Sequence, residues 1–286
     1  MIFNLQSPTP FWLSLRVMAV MAAFLLPLSS RAQEDGTSND EASAKYKIVT
    51  NAKMVSIGTA NILDTYLSPE KYNGLEARFI SHTLRDVPSK KWQQQIMHQG
   101  IIASADDRSG KGNLLEGIYN LNYALQKSFR LMSNRLELRV GGMADLQLGA
   151  VYNSRNQNNP AQIRMSMGIG PAASAKYDFP LFHKPWSARY ELSLPLLVVM
   201  FSPNYGQSYY EIFSRGNYDH NVVFTTPFSA PSLRNMFTID ATLWGMVLRL
   251  GYLGDFQQAK ANGLKQHSYS HAVVIGVVKK LKISKL

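Results

Sequence analysis

Glu76, Glu116, Glu137, Asp145, Asp178, Glu191 and Asp240 fall on the same face of their segments as Arg78, Arg130, Arg135, Arg139, Arg164, Lys176 and Arg189. Such a set suits two kinds of chemistry. Paired, the charges form a ladder that fills an interior. Unpaired along a narrow lumen, they select and pass a small polar solute. Unpaired buried charges are expensive, so equal numbers of acids and bases favour the ladder.

Familiar catalytic patterns mostly fail. GIGPAA at 168–173 echoes a dinucleotide loop, but the alternation around it and Pro180 leave no room for the helix that loop needs. SGKG at 109–112 lacks the upstream glycine and the Ser/Thr of a phosphate loop. In HSYSH, 267–271, the two histidines share one strand face about 13 Å apart, too far to hold one metal ion. His267, Ser268 and His271 near the rim of a last strand resemble lipid A deacylases, which would imply lipid hydrolysis. No carboxylate is placed to orient either histidine. The sequence assigns no catalytic residue, metal ligand or cofactor.

Two connecting stretches offer binding groups. DTYLSPEKYNG, 64–74, opens with Asp64 and Tyr66 and carries a proline turn and an Asn-Gly step. SPNYGQSYYEIFSRGNYDHN, 202–221, gathers Tyr205, Tyr209, Tyr210, Phe213 and Tyr218 beside Glu211, Arg215, Asp219 and His220. This reads as a cap that contacts an extracellular ligand or folds over an opening below it.

The elements that carry these residues alternate with a period of two. In NRLELRVGGMADLQLGA, 134–150, Leu136, Leu138, Val140, Ala144, Leu146 and Leu148 face one way and the charges the other, the signature of a β-strand. The same pattern recurs in ten strands near 54–63, 72–86, 90–105, 113–131, 134–152, 162–178, 185–202, 219–227, 233–254 and 266–283. The change of phase at Gly245 reads as a β-bulge. Several of these strands are far longer than the usual 5–6 residues. Connections at 64–71, 106–112, 153–161, 203–218 and 255–265 read as long, those at 87–89 and 132–133 as tight. Sorting of loops by parity is what bacterial outer-membrane barrels show, so the leucines face lipid and the charges the interior. Near the midplane the opposite register would cost about 4–8 kcal/mol for Arg135 and Arg139 together.

The N-terminus fits export. Arg16 precedes the apolar run VMAVMAAFLLPLSS, and Ser30 and Ala32 stand where a signal peptidase cuts. Residues 1–32 read as a signal peptide, 33–53 as a polar periplasmic lead-in and 54–286 as the barrel. Removing Arg16 and Arg31 takes the formal charge from +11 to +9. The chain has no cysteine, hence no disulfide and no lipid-modified cysteine. Lys90, Lys91, Lys184, Arg234 and the final lysines read as lying near periplasmic ends, where basic charge suits anionic headgroups rather than nucleic acid.

DTYLSPEKYNG and YGQSYYEIFSRGNYDHNVVFTTPF also resemble a family of unknown function from Bacteroidales-type bacteria, whose members carry signal peptides and are taken as outer-membrane barrels. That resemblance implies a location and a fold and no activity. The chain ends KLKISKL rather than on an aromatic residue, which bears on its recognition by the barrel-insertion machinery. The expectation is a single-domain, all-β barrel of about ten antiparallel strands in the outer membrane, with eight or twelve strands or a soluble sandwich as alternatives. Three functions stay open: a charge-plugged barrel with a surface binding or structural role, a narrow channel for small polar solutes, and a lipid-modifying enzyme.

Overall fold

A computed structural model describes residues 46–87, 91–156, 159–243 and 245–284. The expected signal peptide, residues 1–32, lies outside these. Twelve strand segments close into one antiparallel ring. The first six are β1 (Tyr46–Asp64), β2 (Ser68–Asp86), β3 (Trp92–Asp106), β4 (Asn113–Leu131), β5 (Leu136–Asn153) and β6 (Ala161–Leu181). They are followed by β7 (Lys184–Ser193), β8 (Leu197–Phe201), β9 (Val222–Thr225), β10 (Leu233–Leu243), β11 (Met246–Ala261) and β12 (Leu264–Ser284). β7 and β8 are one wall strand interrupted at Leu194-Pro195-Leu196, and both pair with β6. β9 and β10 are another, interrupted over 226–232, with β9 on β8 and β10 on β7. The ring therefore has ten wall strands, and β1 on β12 is its seam.

The expected count of ten is met by two compensating differences. The stretch 233–254 is two strands: Leu243 pairs with Met246, and Gly245, at φ 76°, belongs to a tight turn rather than a bulge. The stretch 219–227 is no separate strand; its ordered part, β9, is the upper piece of the strand that continues as β10. The barrel also starts earlier than expected, since β1 takes in residues 46–53 of the predicted lead-in.

Two loops expected to be long are tight. β1 and β2 are joined by Thr65–Leu67, and β11 and β12 by Asn262-Gly263, both at positive φ (52° and 77°) as a type I′ hairpin turn needs. Only 107–112, 154–160 and above all 202–221 exceed a tight turn at that end, here called the cap end. The 202–221 excursion holds the one helix of the described residues, α1 (Tyr209–Phe213), opened by a capping box in which Ser208 and Glu211 bond each other's backbone amides.

The outer face is a belt of exposed apolar side chains. Val55, Leu250 and Ile275 sit side by side on β1, β11 and β12 and are 52%, 58% and 58% exposed. A side chain so exposed on a strand buried on its other face belongs against lipid, not water. A crossing needs about 9–11 residues, and β1, β2 and β4 have 19 each, so their ends project beyond the bilayer. No helix among the described residues is long and apolar enough to cross a membrane. The strands do the crossing.

Candidate functional site: the barrel interior and its cap

The interior is layered, and β2 alone displays the order. From the cap end its inward residues run Tyr72, then Glu76 and Arg78, then Ile80, then His82, then Leu84 and Asp86. Tyr72 joins Ile62, Leu67, Leu114 and Val151 in an apolar cluster beneath the loops. Below it lies a charged layer. Arg78 donates to Glu76, and its Nη1 reaches Asp255 at 2.6 Å. Arg234 donates to the same Asp255 carboxylate at 3.1 Å and to Asp145 at 3.2 Å. A second apolar layer follows, made by Met54, Ile80, Met97, Met236, Leu253 and Val274. Below that is a second charged layer. Arg249 forks onto Asp240 at 2.6 and 2.8 Å, and Arg139 bridges Asp86 at 3.1 Å and Glu137 at 3.0 Å. Arg189 and His82 stand 3.7 and 3.6 Å from Glu191. Two charged and two apolar layers, stacked and buried, fill the lumen; this is a packed core, as in other small barrels.

Most of the expected lumen charges are here. Glu76, Arg78, Glu137, Arg139, Asp145, Arg164, Arg189, Glu191 and Asp240 all point inward and pair. Arg135 does not; it precedes β5 in the exposed turn after β4, and Arg130 is exposed too. Lys176 and Asp178 pair with each other in a half-exposed position at the end of β6. Asp64, expected in an extracellular loop, is buried inside and 3.1 Å from Arg164. Arg234, expected near the periplasm, lies in the upper charged layer. His82, Asp86, Arg249 and Asp255 complete the network and are not among the lumen charges expected from the sequence. Each sits on the inward phase of its strand.

The HSYSH segment splits across the wall. Ser268 pairs in register with the fully buried Ile62, points inward and donates to Glu116 at 3.0 Å. His267 and His271 take the opposite, outer face, where His267 stacks on Tyr269 and His271 meets the Tyr252 hydroxyl at 2.6 Å. A histidine on one face of a strand cannot take a proton from a serine on the other. The arrangement expected of a lipid hydrolase is not formed.

The cap is latched from three sides. Tyr209 Oη donates to Gln162 on β6 at 2.9 Å and accepts from the Ile163 amide at 2.7 Å. Tyr66 donates to the Gln207 carbonyl at 3.0 Å and packs edge-on against Tyr209. Asn262, from the β11–β12 turn, donates to the carbonyls of Ser202 and His220. Tyr66 and Tyr209 are therefore fastenings, and Glu211 is spent on the capping box. Tyr205, Tyr210, Asp219 and His220 remain outward, the last two paired with each other. We predict that Tyr209→Phe loosens the cap without unfolding the barrel. Trypsin should then cut at exposed Arg215 several-fold faster than in the native protein, with the heat-shifted gel band unchanged.

Two carboxylates outside the bilayer tie loop order to pH. In the 107–112 loop the Ser109 hydroxyl foremost, with the Lys111 amide and the Arg155 guanidinium, holds the Asp107 carboxyl below the usual carboxylate range. At α1 the Ser208 amide and hydroxyl do the same for Glu211. A carboxyl lowered on folding stabilises the loop fully above its unfolded value, about 4, and loses that contribution as pH falls through the folded value. Both loops should therefore keep their amide-exchange protection from pH 8 to 5 and lose it progressively as pH falls below about 4. Unchanged protection at pH 3 relative to pH 6 would refute this.

A chamber of about 70 Å³ lies under the cap between the upper charged layer and β6. Glu116, Arg164, Ser166 and Ser268 face it, with Pro195, Val198, Ala230 and Ser232 along the side where β7–β8 leaves β9–β10. That is room for several waters. Among the described residues no three His, Asp or Glu side chains gather as a metal site.

The comparisons add a family and no activity. None of the curated proteins matches the chain. The transport unit of the autotransporter AIDA-I from Escherichia coli is similar in structure at 8% identity and a TM-score of 0.45, over 96% of this chain and 97% of that one. The outer-membrane protease OmpT from Escherichia coli follows at 4% and 0.41, over 88% and 100%. The translocator domain of the autotransporter NalP from Neisseria meningitidis stands at 9% and 0.31, over 92% and 96%. A family profile described as "Protein of unknown function (DUF3316)" matches residues 16–286, nearly the whole chain, and the chain belongs to that family.

Proposed function

We propose that this protein is a non-conducting barrel of the bacterial outer membrane, exported on residues 1–32 and inserted by the barrel-insertion machinery, whose working part is the cap-end half. Surrounding lipid and an extracellular ligand are its partners, and the 202–221 cap faces the outside. One observation carries the reading. The apolar layer of Met54, Ile80, Met97, Met236, Leu253 and Val274 stands between two ion-paired layers. An ion crossing it would shed its water with nothing to replace it. The lower half then serves as a structural plug, while the upper half keeps a chamber and a fastened lid, which suits binding rather than passage.

Single-channel recording of the mature protein in a planar bilayer tests this. Silence from protein that shows the heat-shifted folded band is the expected result. Discrete, reproducible conductance steps would overturn it in favour of the narrow channel, and Arg139→Gln would then alter their size.

A further inference from the structure

The chamber has a side door. Pairing between β7–β8 and β9–β10 stops at Ser193–Arg234 and resumes at Val198–Thr225, so four residues on one side face eight on the other with no ladder between them. The interrupted segments stay attached to their other neighbours. Leu194 and Leu196 donate to Pro171 and Ile169 of β6, and Ser229 accepts from the Lys260 amide of β11. The seam between the two wall strands is therefore held by no backbone ladder while each flank is anchored, and the buried Pro195 and Ala230 close it by side-chain packing alone.

A seam without a ladder within lipid should be costly, because backbone groups there find no water. Pro195, Pro227 and Pro231 line it and carry no N–H, which removes three donors from the exposed edges. The break does lie at lipid depth. Met167, Ile169, Leu197 and Phe224 beside it are exposed apolar side chains of the outer belt. One strand across from the seam, outside the wall, an apolar groove of about 610 Å³ runs past Leu196, Leu197, Ile169, Leu125, Tyr123 and Trp92.

Inside the door two buried charges are incompletely used. Glu116 is 4% exposed; its Oε1 accepts from Ser268, and its Oε2 has no hydrogen-bond partner. Arg164 is 8% exposed and lines the same chamber; its Nη2 is spent on the ion pair with Asp64 at 3.1 Å, and its Nε donates no hydrogen bond. An unpartnered carboxylate oxygen and an unpartnered guanidinium Nε on two residues that line one chamber complement a head that carries both a cation and an anion. Among the described residues this half holds five carboxylates (Asp64, Glu76, Glu116, Asp145, Asp255) against three arginines (Arg78, Arg164, Arg234), so the head's cation has a partner to spare.

We propose that the seam admits, from the surrounding leaflet, a single-chain amphiphile with a small amine–phosphate head. Its phosphate meets Arg164, its ammonium meets Glu116, and its chain passes between Pro195 and Ala230 to lie in the outer groove. This rests on the reading of a sealed barrel with a working cap-end chamber and names the ligand class for it.

Native mass spectrometry of the delipidated full-length mature barrel, titrated with lysophosphatidylethanolamine, tests it. The expected result is one retained lipid per barrel. Binding should fall at least tenfold with lysophosphatidylglycerol, which lacks the ammonium, with Glu116→Gln, and with Ser166→Leu, which fills the chamber. Equal retention of both lipids would overturn the proposal, as would retention unaffected by either substitution. Glycerophosphoethanolamine binding as tightly as the lysolipid would overturn the lateral route, because that head has no chain to hold. The wild-type lipid comparison decides even where a variant fails to fold. Failure here with a silent bilayer recording refutes only the lipid site; conductance refutes the sealed barrel beneath it.

Discussion

Arg78→Met is expected to destabilise the barrel by about 3–5 kcal/mol, the usual consequence of removing one partner from a buried ion pair. Arg78 serves two carboxylates at once, Glu76 and Asp255, and the side chains of all three are no more than 3% exposed. Without the guanidinium, Glu76 keeps only the Ser270 hydroxyl, at 2.8 Å, while Asp255 retains Arg234. The double variant Arg78→Met with Glu76→Gln should therefore recover most of the loss, since it removes the acid left unpaired. Urea titration of the heat-shifted folded band reads both. A loss below about 1 kcal/mol for the single variant would mean that water reaches this layer and that the lumen is not a dry plug.

Ile275→Arg should cost about 2–4 kcal/mol, the range for a basic residue on the lipid face near the midplane. Ile275 lies between Val55 and Leu250, both more than half exposed, so the arginine has only apolar neighbours across the strands. Lys279, four residues on along the same outer face, already carries a charge there, so Lys279→Leu should change little. If Ile275→Arg is neutral in lipid, this belt is wet and the membrane assignment fails.

The alternation that reveals ten strands also reveals most of the lumen network, because inward phase is a property of single residues. Boundaries were harder, for identifiable reasons. At Leu243–Met246 a two-residue turn shifts the apolar phase by one position, as a bulge does, so the pattern alone does not separate them. At 255–265 the alternation fades because the strand ends stand clear of lipid, where both faces are polar; the run reads as loop although Asn262-Gly263 is a strong hairpin signal. That error hid Asp255; Arg249 was legible, since Leu248 and Leu250 on either side of it set its phase inward, and the expected set omitted it. Arg135 was misplaced because one residue decides whether a strand has begun, and β5 begins at Leu136. The side door was not legible at all. Pro195, Pro227 and Pro231 look like ordinary turn residues until the strands they interrupt are found side by side.

The seam has a consequence for how the molecule forms. β1 and β12 share nineteen register pairs, from Tyr46–Ser284 to Asp64–Gln266, each joining residues some two hundred or more positions apart. Contacts so distant in sequence are the last to form and the slowest to find. Until they do, β1 and β12 are both raw edges, able to pair with any other chain at hand. Assembly thus hinges on its final step, and a chain shortened by residues 264–284 should be caught as an open sheet that aggregates instead of inserting.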